Sequence, residues 1–422
     1  MAEDQHAERL GRALAVAEDA APGHSVEAVT RELAEDLGAS DVSFLMVDLS
    51  GHGLVRLARE PGVPDGDEPW LLVPGQDSPV ETALREQSLQ VVPPGVPRTA
   101  GLPDGWLVLA PVTERGDALG LLAVSTDVEP DRAWLGAVRR TAHVLAYVVI
   151  ANRRHTDRFE WTQRSEAFTL PAEIQRRLLP ESLTCEAGTF TLSAWLEPTA
   201  EVGGDTFDYS VERDVLHLSM TDAMGHGVAS ALTATLCVGS LRNSRRSGAT
   251  LLEQVGRANE SLVKQTVTTA DEGFVTGLFG RVDLHTGVLT VVNAGHALPY
   301  LRRHGRMRAV ELPVDLPLGM FADSSYRVSQ VTLQPGDRLV LVTDGMLERK
   351  AAALDLAEAV DVTAHLHPRE ATRQMAAQVL EVCGPDLEDD ATLLVVDWHG
   401  PRPVGSSGLH VRDSEAGADG TA

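Results

Sequence analysis

The chain has 422 residues, of which 43% are hydrophobic, and it carries a formal net charge of −25. This length predicts two or three domains, and the apolar fraction is sufficient for packed cores. The excess negative charge would repel nucleic-acid phosphates and anionic membranes, so neither is an expected partner.

Cysteine usage and the N-terminus bear on the compartment. The three cysteines, Cys185, Cys237 and Cys383, show neither the spacing of a metal knuckle nor that of a paired disulfide framework. So sparse and odd a set is typical of a reducing cytosol. The first residues are polar and acidic, unlike a signal peptide, and no apolar run approaches the ~18–20 residues that span a bilayer. A soluble cytoplasmic protein is therefore expected.

Residues 1–150 are predicted to form one unit. The elements expected in chain order are helical residues 6–37 with a break at 21–24, strands at 42–47 and 53–57, a short helix after Ser78, a hairpin over 106–124, and a helix over 131–150. This order resembles a GAF sensor domain, which implies either a small ligand held between sheet and short helix or dimerisation. Because residues 1–150 contain no cysteine, a thiol-linked chromophore is excluded there.

Residues 151–180 are predicted to form a helical linker. Its charged first part, residues 151–169, could extend the preceding helix out of the first unit, although no sustained heptad supports a long coiled coil. Pro171 then opens a short helix, and Pro180 ends it. The apolar residues that share one face of this helix, and are expected to pack on the next domain, are Ile174, Leu178 and Leu179.

Residues 181–400 alternate predicted strands and helices. Strands are expected at 191–195, 215–220, 274–283, 288–293, 298–302, 328–333, 339–342 and 392–396, with helices at 228–242, 251–264 and 371–382. The polar residues 401–422 follow a segment rich in glycine, proline and serine and cannot build a core. They are expected to form a disordered tail.

Four short segments centred on aspartate are the most informative part of the sequence. They are residues 203–205, 221–227, 343–345 and 389–392, and three of them adjoin apolar alternating runs. Strand ends at one edge of a sheet can bring distant carboxylates to one point. Such a set of oxygen ligands suits hard divalent cations such as Mg²⁺ or Mn²⁺.

Each aspartate considered alone could be an ordinary turn residue. Two carboxylates about 4 Å apart repel by roughly 4 kcal/mol at an effective dielectric near 20, so bringing four together without a cation would be costly. The four segments taken together, with glycines beside or near three of them, favour a cation site over four unrelated turns.

In this order the four segments resemble the bacterial SpoIIE-type branch of the PPM (type 2C-like) metal-dependent serine/threonine protein phosphatases. Residues 171–180, 202–208, 293–296 and 317–319 add to the resemblance, which covers roughly residues 170–400. It implies an α+β chain, with the GAF-like α/β sensor domain followed by a PPM-type β-sandwich flanked by helices over 181–400. It also implies a sensor-regulated protein phosphatase whose substrate is a phosphorylated anti-sigma-factor antagonist.

The resemblance assigns roles residue by residue. The positions that match the metal-binding and catalytic carboxylates, with one main-chain carbonyl, are Asp205, Asp222, Asp344, Asp389 and Ala223. Asp222 matches the carboxylate that bridges two Mn²⁺ or Mg²⁺ ions, which activate water for in-line attack on phosphoserine or phosphothreonine. Asp390 stays open as an alternative to Asp389 or as an outer-sphere group. Asp208 is expected to be structural or outer-sphere.

The proton donor for the leaving serine oxygen is not evident. Eukaryotic relatives place a histidine two residues after the bridging aspartate, where this chain has Met224. His226 could act as the acid, although a turn-stabilising or helix-capping role is favoured for it. His296 is expected to orient a loop near the site.

Two further functions stay open from the sequence. One is a catalytically silent ligand-sensing scaffold that binds regulatory partners, against which the intact set of aspartates argues. The other is hydrolysis of a small phosphorylated metabolite. The helical linker and sensor are also compatible with a homodimer.

Overall fold

The computed structural model describes residues 2–49, 51, 53–57, 70–71, 78–96, 104–164, 169–198, 204–269, 273–346, 355–383, 387 and 389–401. Three predicted features lie wholly or partly outside these residues: nearly all of the C-terminal tail, Gly203 of the first aspartate segment, and residues 165–168 of the predicted helical linker. The three cysteines are free thiols. Among the helices described, none is both long and apolar enough to cross a membrane.

The N-terminal unit is an antiparallel sheet with helices on both faces. Its elements are α1 (Ala2–Asp19), α2 (Ser25–Leu37), β1 (Asp41–Val47), β2 (Gly53–Arg56), β3 (Trp70–Leu71), α3 (Pro79–Glu86), β4 (Gln90–Val92), β5 (Trp106–Glu114), β6 (Asp117–Thr126) and α4 (Arg132–Asn152). The strand order is β3-β2-β1-β6-β5-β4. Helices α1, α2 and α4 cover one face of the sheet and α3 covers the other. The predicted helices and hairpins of this unit are confirmed.

Local signals explain where two of these helices begin. The Ser78 side chain accepts a hydrogen bond from the main-chain N–H of Glu81 at 3.1 Å, and Pro79 occupies the first helical position of α3. The Asp131 side chain caps α4 in the same way, through the N–H of Trp134 at 2.8 Å. Both caps satisfy N–H groups that the first turn of a helix leaves unpaired.

The linker does not continue α4. Helix α4 ends at Asn152, Thr156 is extended (φ −155°, ψ 141°), and a separate short helix α5 covers Arg158–Thr162. The Arg158 side chain is buried, where it forms an ion pair with Glu27 and donates to the carbonyl of Gly23. A buried guanidinium needs such partners, and these hold α5 against the N-terminal unit. The expected extension of the closing helix out of that unit is therefore wrong.

The C-terminal unit contains two antiparallel sheets between helices. Its elements are α6 (Leu170–Leu178), β7 (Thr184–Glu186), β8 (Phe190–Glu197), β9 (Thr206–Glu212), β10 (Val215–Ala223), α7 (Gly227–Arg246), α8 (Leu251–Thr269), β11 (Val275–Asp283), β12 (Val288–Ala294), β13 (Tyr300–Arg303), β14 (Arg306–Ala309), β15 (Ser329–Thr332), β16 (Arg338–Val342), α9 (Leu356–Val362), α10 (Pro368–Cys383) and β17 (Ala391–Trp398). The strand orders are β15-β12-β11-β10-β9 and β14-β13-β16-β17-β8-β7.

The core of this unit lies between the two sheets. Alternate residues of both sheets point inward, and the buried side chains that meet there include Phe190, Phe207, Leu218, Leu341 and Trp398. Helices α7 and α8 cover the outer face of the five-stranded sheet, while α9 and α10 cover that of the six-stranded sheet. This four-layer arrangement confirms the expected α+β sandwich flanked by helices.

Helix α10 also contacts the N-terminal unit. Arg373 forms an ion pair with Glu81 on α3, with Nη1 and Oε1 3.2 Å apart. Arg369 donates from Nη1 to the carbonyl of Gly116, in the turn between β5 and β6, at 2.5 Å. The two units are therefore joined by arginine side chains that are largely withdrawn from solvent.

Loss of the Arg338 side chain is expected to destabilise the C-terminal unit. The buried guanidinium on β16 bonds both Asp397 oxygens at 2.6 and 2.9 Å and the Thr363 carbonyl at 3.0 Å. Arg338→Met leaves the Asp397 carboxylate without its guanidinium partner and should lower the free energy of unfolding by about 3 kcal/mol. Native-state hydrogen exchange of the β16 and β17 amides measures the change. Arg302→Met, which breaks a more exposed ion pair with Asp361, is the control; equal effects of the two variants would contradict this account.

Candidate metal centre

The four aspartate segments lie at neighbouring strand ends. Asp205 immediately precedes β9, and Asp222 is the penultimate residue of β10, its antiparallel neighbour. Asp344 follows β16, while Asp389 and Asp390 precede β17, and these two strands are neighbours in the other sheet. Because neighbouring antiparallel strands end and begin at the same edge, all four segments are brought to one end of the sandwich. The backbones of the four segments thus lie at this end, and the joint binding of a cation by their side chains stays a prediction.

Asp205 is the most enclosed of these carboxylates. It is 3% exposed, and its Oδ2 accepts hydrogen bonds from the hydroxyl groups of Thr343 at 2.7 Å and Thr392 at 2.5 Å. The two threonines belong to the segments at the ends of β16 and β17, so these bonds connect one sheet with the other. Among the described residues, no hydrogen bond to Oδ1 of Asp205 accompanies them.

The surroundings of Asp205 disfavour a bare negative charge. Burial raises the pKa of the Asp205 carboxyl well above its ordinary value, and the nearby charges of Asp222 and Asp390 raise it further. The two threonine hydroxyls act in the opposite direction. A carboxylate in such a place is stabilised by a proton or by a cation.

The main chain at Ala223 is in close contact with the Asp205 segment. The N–H of Ala223 donates to the carbonyl of Gly204 at 3.2 Å, and a Cβ atom at position 204 would lie 2.2 Å from the Ala223 carbonyl oxygen. Glycine is therefore required at position 204 by the close approach of two backbones. The carbonyl predicted as a ligand accordingly lies beside the first carboxylate segment.

A second close approach joins the Asp344 segment to the last strand. Residues 344–346 form a one-turn 3₁₀ helix, and a Cβ atom on Gly345 would lie 2.0 Å from the carbonyl oxygen of Asp390. The N–H of Thr343 donates to the carbonyl of Thr392 at 3.2 Å. The side chain of Asp344 is exposed at the rim of this junction.

The two consecutive aspartates before β17 have different surroundings. Asp390 is 1% exposed, raises the pKa of Asp205, and accepts a 2.6 Å hydrogen bond at Oδ2 from Nε2 of Gln175. Asp389 is exposed, and its Oδ1 accepts from the N–H of Asp390 at 2.8 Å. The structure therefore places Asp390 beside Asp205, and Asp389 on the exposed side with Asp344.

The donor set fits a hard divalent cation. Carboxylates and a main-chain carbonyl are the oxygen ligands that Mg²⁺ and Mn²⁺ prefer. In the part of the chain described, no group of three or more His, Cys, Asp or Glu side chains has the spacing needed to hold one metal ion. A bound cation would offset the repulsion between the carboxylates.

Two residues named near the site have structural partners. Asp208 is 4% exposed and accepts hydrogen bonds from Arg242 at 2.9 Å and Arg245 at 3.0 Å, both on α7. His296 is buried, with Nδ1 2.9 Å from the hydroxyl of Thr276, and burial lowers its pKa to about 4. These contacts agree with a structural or outer-sphere role for Asp208 and with a structural role for His296.

The loop after Asp222 contains the two positions considered for the proton donor, Met224 and His226. His226 occupies the N-cap position of α7, but its side chain makes no capping hydrogen bond there. Met224 is exposed where eukaryotic relatives carry a histidine. One residue close to the carboxylates was not singled out from the sequence: Gln175, the buried amide on α6. A glutamine among the apolar positions of a short helix was the available signal.

The sandwich, its flanking helices and the aspartates at its end agree with the architecture expected of a PPM phosphatase domain. Residues 212–399 match the family model described as Stage II sporulation protein E (SpoIIE). This part of the chain is therefore similar to the SpoIIE-type PPM phosphatases. The matched range includes Asp222, Asp344 and Asp389, and it begins shortly after Asp205.

Three similar proteins illustrate the extent of the likeness. Protein IcfG of Synechocystis sp. is 24% identical over 204 residues, 42% of this chain and 32% of IcfG. Phosphoserine phosphatase RsbU of Bacillus subtilis is 21% identical over 237 residues, 54% of this chain and 68% of RsbU. The structure of the RsbU and RsbW domains of Rv1364c from Mycobacterium tuberculosis aligns with a TM-score of 0.46 and 25% identity, covering 56% of this chain and 65% of that one. The chain thus spans about a third of IcfG and about two thirds of RsbU.

Proposed function

We propose that the protein is a Mn²⁺- or Mg²⁺-dependent protein phosphatase that hydrolyses phosphoserine or phosphothreonine. The observation that carries this proposal is the buried Asp205 carboxylate, with Asp222 and Asp390 near enough to raise its pKa. Such a cluster is costly without a cation. The cluster lies at the end of a sandwich similar to that of the SpoIIE-type phosphatases, which indicates phosphoester hydrolysis as the class of reaction. One relative of the chain, RsbU, is named a phosphoserine phosphatase.

The residues proposed to hold two cations are Asp205, Asp222, Asp344, Asp389 and the main-chain carbonyl of Ala223. When bound, such cations supply activation of a water and neutralisation of charge on the phosphoryl group. Thr343 and Thr392 orient Asp205 through its Oδ2. Asp390 is assigned an outer position behind Asp389, because it is buried and bonded to Gln175.

The substrate and the regulation are proposed from the family resemblance. The substrate is a phosphorylated anti-sigma-factor antagonist, and the N-terminal unit is a GAF-like sensor with a small ligand. The contacts of Arg369 and Arg373 with that unit support a regulatory coupling, because they join it to α10 of the phosphatase domain. We propose that the protein acts in the cytoplasm.

Metal-dependent phosphate release from a phosphoserine protein is the direct test. With the purified chain and Mn²⁺, we expect turnover of phosphoserine and phosphothreonine substrates. A chelator should abolish this turnover, and added Mn²⁺ should restore it. Removal of the cations takes away both the activated water and the charge neutralisation, so the residual rate should lie several orders of magnitude lower.

Comparison of substrate classes completes this test. A panel of phosphoserine protein, p-nitrophenyl phosphate and small phosphorylated metabolites separates protein phosphatase activity from metabolite hydrolysis. Metal-independent turnover, or a clear preference for a small metabolite, would contradict the proposal. Silence with every substrate, including after removal of residues 1–169, would shift the assignment to a non-catalytic scaffold.

A further inference from the structure

The geometry points to Gln175 as a positioning residue of the metal centre, one that holds Asp390 and the main chain at Asp205 in place from the short helix α6. The inference rests on the proposed function and concerns the same site. It adds a residue that belongs to the linker segment rather than to the four aspartate segments.

One amide group makes the contacts. The Gln175 side chain is 2% exposed, and its Nε2 donates to the main-chain oxygen of Asp205 at 2.9 Å and to Oδ2 of Asp390 at 2.6 Å. Both partners are acceptors, and a glutamine NH₂ group has two hydrogens to donate. Gln175 thereby connects two segments that lie 30 and 215 residues away along the chain.

The position of Gln175 follows from the packing of α6. The residues of this helix that are buried are Ala172, Gln175 and Leu178, three positions apart on one face. Thr169 caps the start of the helix, and Arg242 of α7 donates to the carbonyl of Leu178 at 2.6 Å. The helix is thus fixed at both ends, and a polar group sits in the middle of its buried face. A buried amide is costly unless it is hydrogen-bonded, so its two partners are part of the reason that α6 docks here.

The two hydrogen bonds bear on the cation ligands. Asp390 is buried next to Asp205, and the Gln175 amide offsets part of its negative charge through a charge-assisted bond. The same amide holds the backbone at Asp205 while Thr343 and Thr392 hold its side chain. Groups that orient metal ligands in this way typically contribute 10- to 100-fold, as an order of magnitude, to metal affinity.

Gln175→Met in the full-length chain is the primary test. Methionine keeps the length and apolar packing of the side chain but removes both donors. We expect the Kd for Mn²⁺, measured without substrate by the electron paramagnetic resonance signal of free Mn²⁺, to rise about 10- to 100-fold. The Mn²⁺ concentration for half-maximal phosphatase activity should rise in parallel, while turnover at saturating Mn²⁺ stays near the wild-type value. Arg177→Met, on the exposed face of the same helix, should leave Mn²⁺ binding unchanged.

A reciprocal pair of variants separates positioning from general stability. Gln175→Glu places a carboxylate against Asp390 and should weaken Mn²⁺ binding more than Gln175→Met does. Adding Asp390→Asn to Gln175→Glu restores a donor–acceptor pair of opposite polarity and should recover part of the affinity. A merely structural role would lower the melting temperature of both Gln175 variants and would leave the Mn²⁺ affinity of all three variants unchanged.

The outcomes distinguish this inference from the proposed function. An active wild-type enzyme whose Mn²⁺ affinity is unchanged by Gln175→Met overturns the role of Gln175 alone. A wild-type protein that binds Mn²⁺ in a Gln175-dependent manner but hydrolyses no phosphoester overturns the activity and supports the positioning role. Absence of Mn²⁺ binding by the wild-type protein overturns both.

Discussion

Asp222→Asn is expected to reduce phosphatase activity by on the order of 1000-fold or more. Asp222 lies on β10 at the edge where the segments meet, and its charge reaches Asp205. Asparagine keeps the size of the side chain but removes the charge proposed to lie between two cations. Turnover of a phosphoserine protein at saturating Mn²⁺, together with Mn²⁺ binding in the absence of substrate, measures the effect.

The same substitution has an opposite expected effect on the metal-free protein. Removing one of three neighbouring carboxylates relieves repulsion, so the melting temperature of Asp222→Asn in chelator should equal or exceed that of the wild type. Asp214→Asn, at the other end of the β9–β10 hairpin with an exposed side chain, is the matched control and should be fully active. An Asp222→Asn enzyme with near wild-type turnover would remove Asp222 from the metal centre.

Gly345→Ala is expected to lower activity by roughly 100-fold, because it separates two of the carboxylate segments. The added Cβ atom would lie 2.0 Å from the carbonyl oxygen of Asp390, so the backbone after Asp344 or before β17 must shift. Displacements of about 1 Å in a catalytic arrangement can cost on the order of 100-fold in rate. Steady-state kinetics over a range of Mn²⁺ concentrations, at full substrate saturation, measures the loss.

A second glycine provides the control for this substitution. Gly256 lies inside α8, and a Cβ atom at this position would meet no atom of a neighbouring element within 4 Å. Gly256→Ala should therefore preserve activity and raise stability by about 0.5–1 kcal/mol, the usual gain from replacing glycine within a helix. If Gly345→Ala were as active as Gly256→Ala, the close packing between the Asp344 segment and Asp390 would have no part in assembling the site.

Much of the architecture could be predicted because local patterns agreed with it. The caps at Ser78 and Asp131 and the apolar alternation of β10, β16 and β17 are properties of short stretches, and the structure retains them. Strand β9 was not predicted, although Phe207, Tyr209 and Val211 alternate with polar residues in the pattern of a half-buried strand. The linker was misjudged because a charged helical pattern does not reveal that Arg158 is buried against Glu27.

For the aspartates, too, the sequence predicted some features and only the tertiary structure showed others. Their order, their neighbouring glycines and their positions at strand ends are sequence properties, and these sufficed to predict a cation site and the SpoIIE-type class. Only the folded chain distinguishes the buried Asp390 from the exposed Asp389, because burial depends on how β17 packs beside the Asp205 segment. Likewise, the contacts of Gln175 depend on the docking of α6 against segments far away in the chain. Local chemistry determined which groups this protein could use, and long-range packing decided which of them meet.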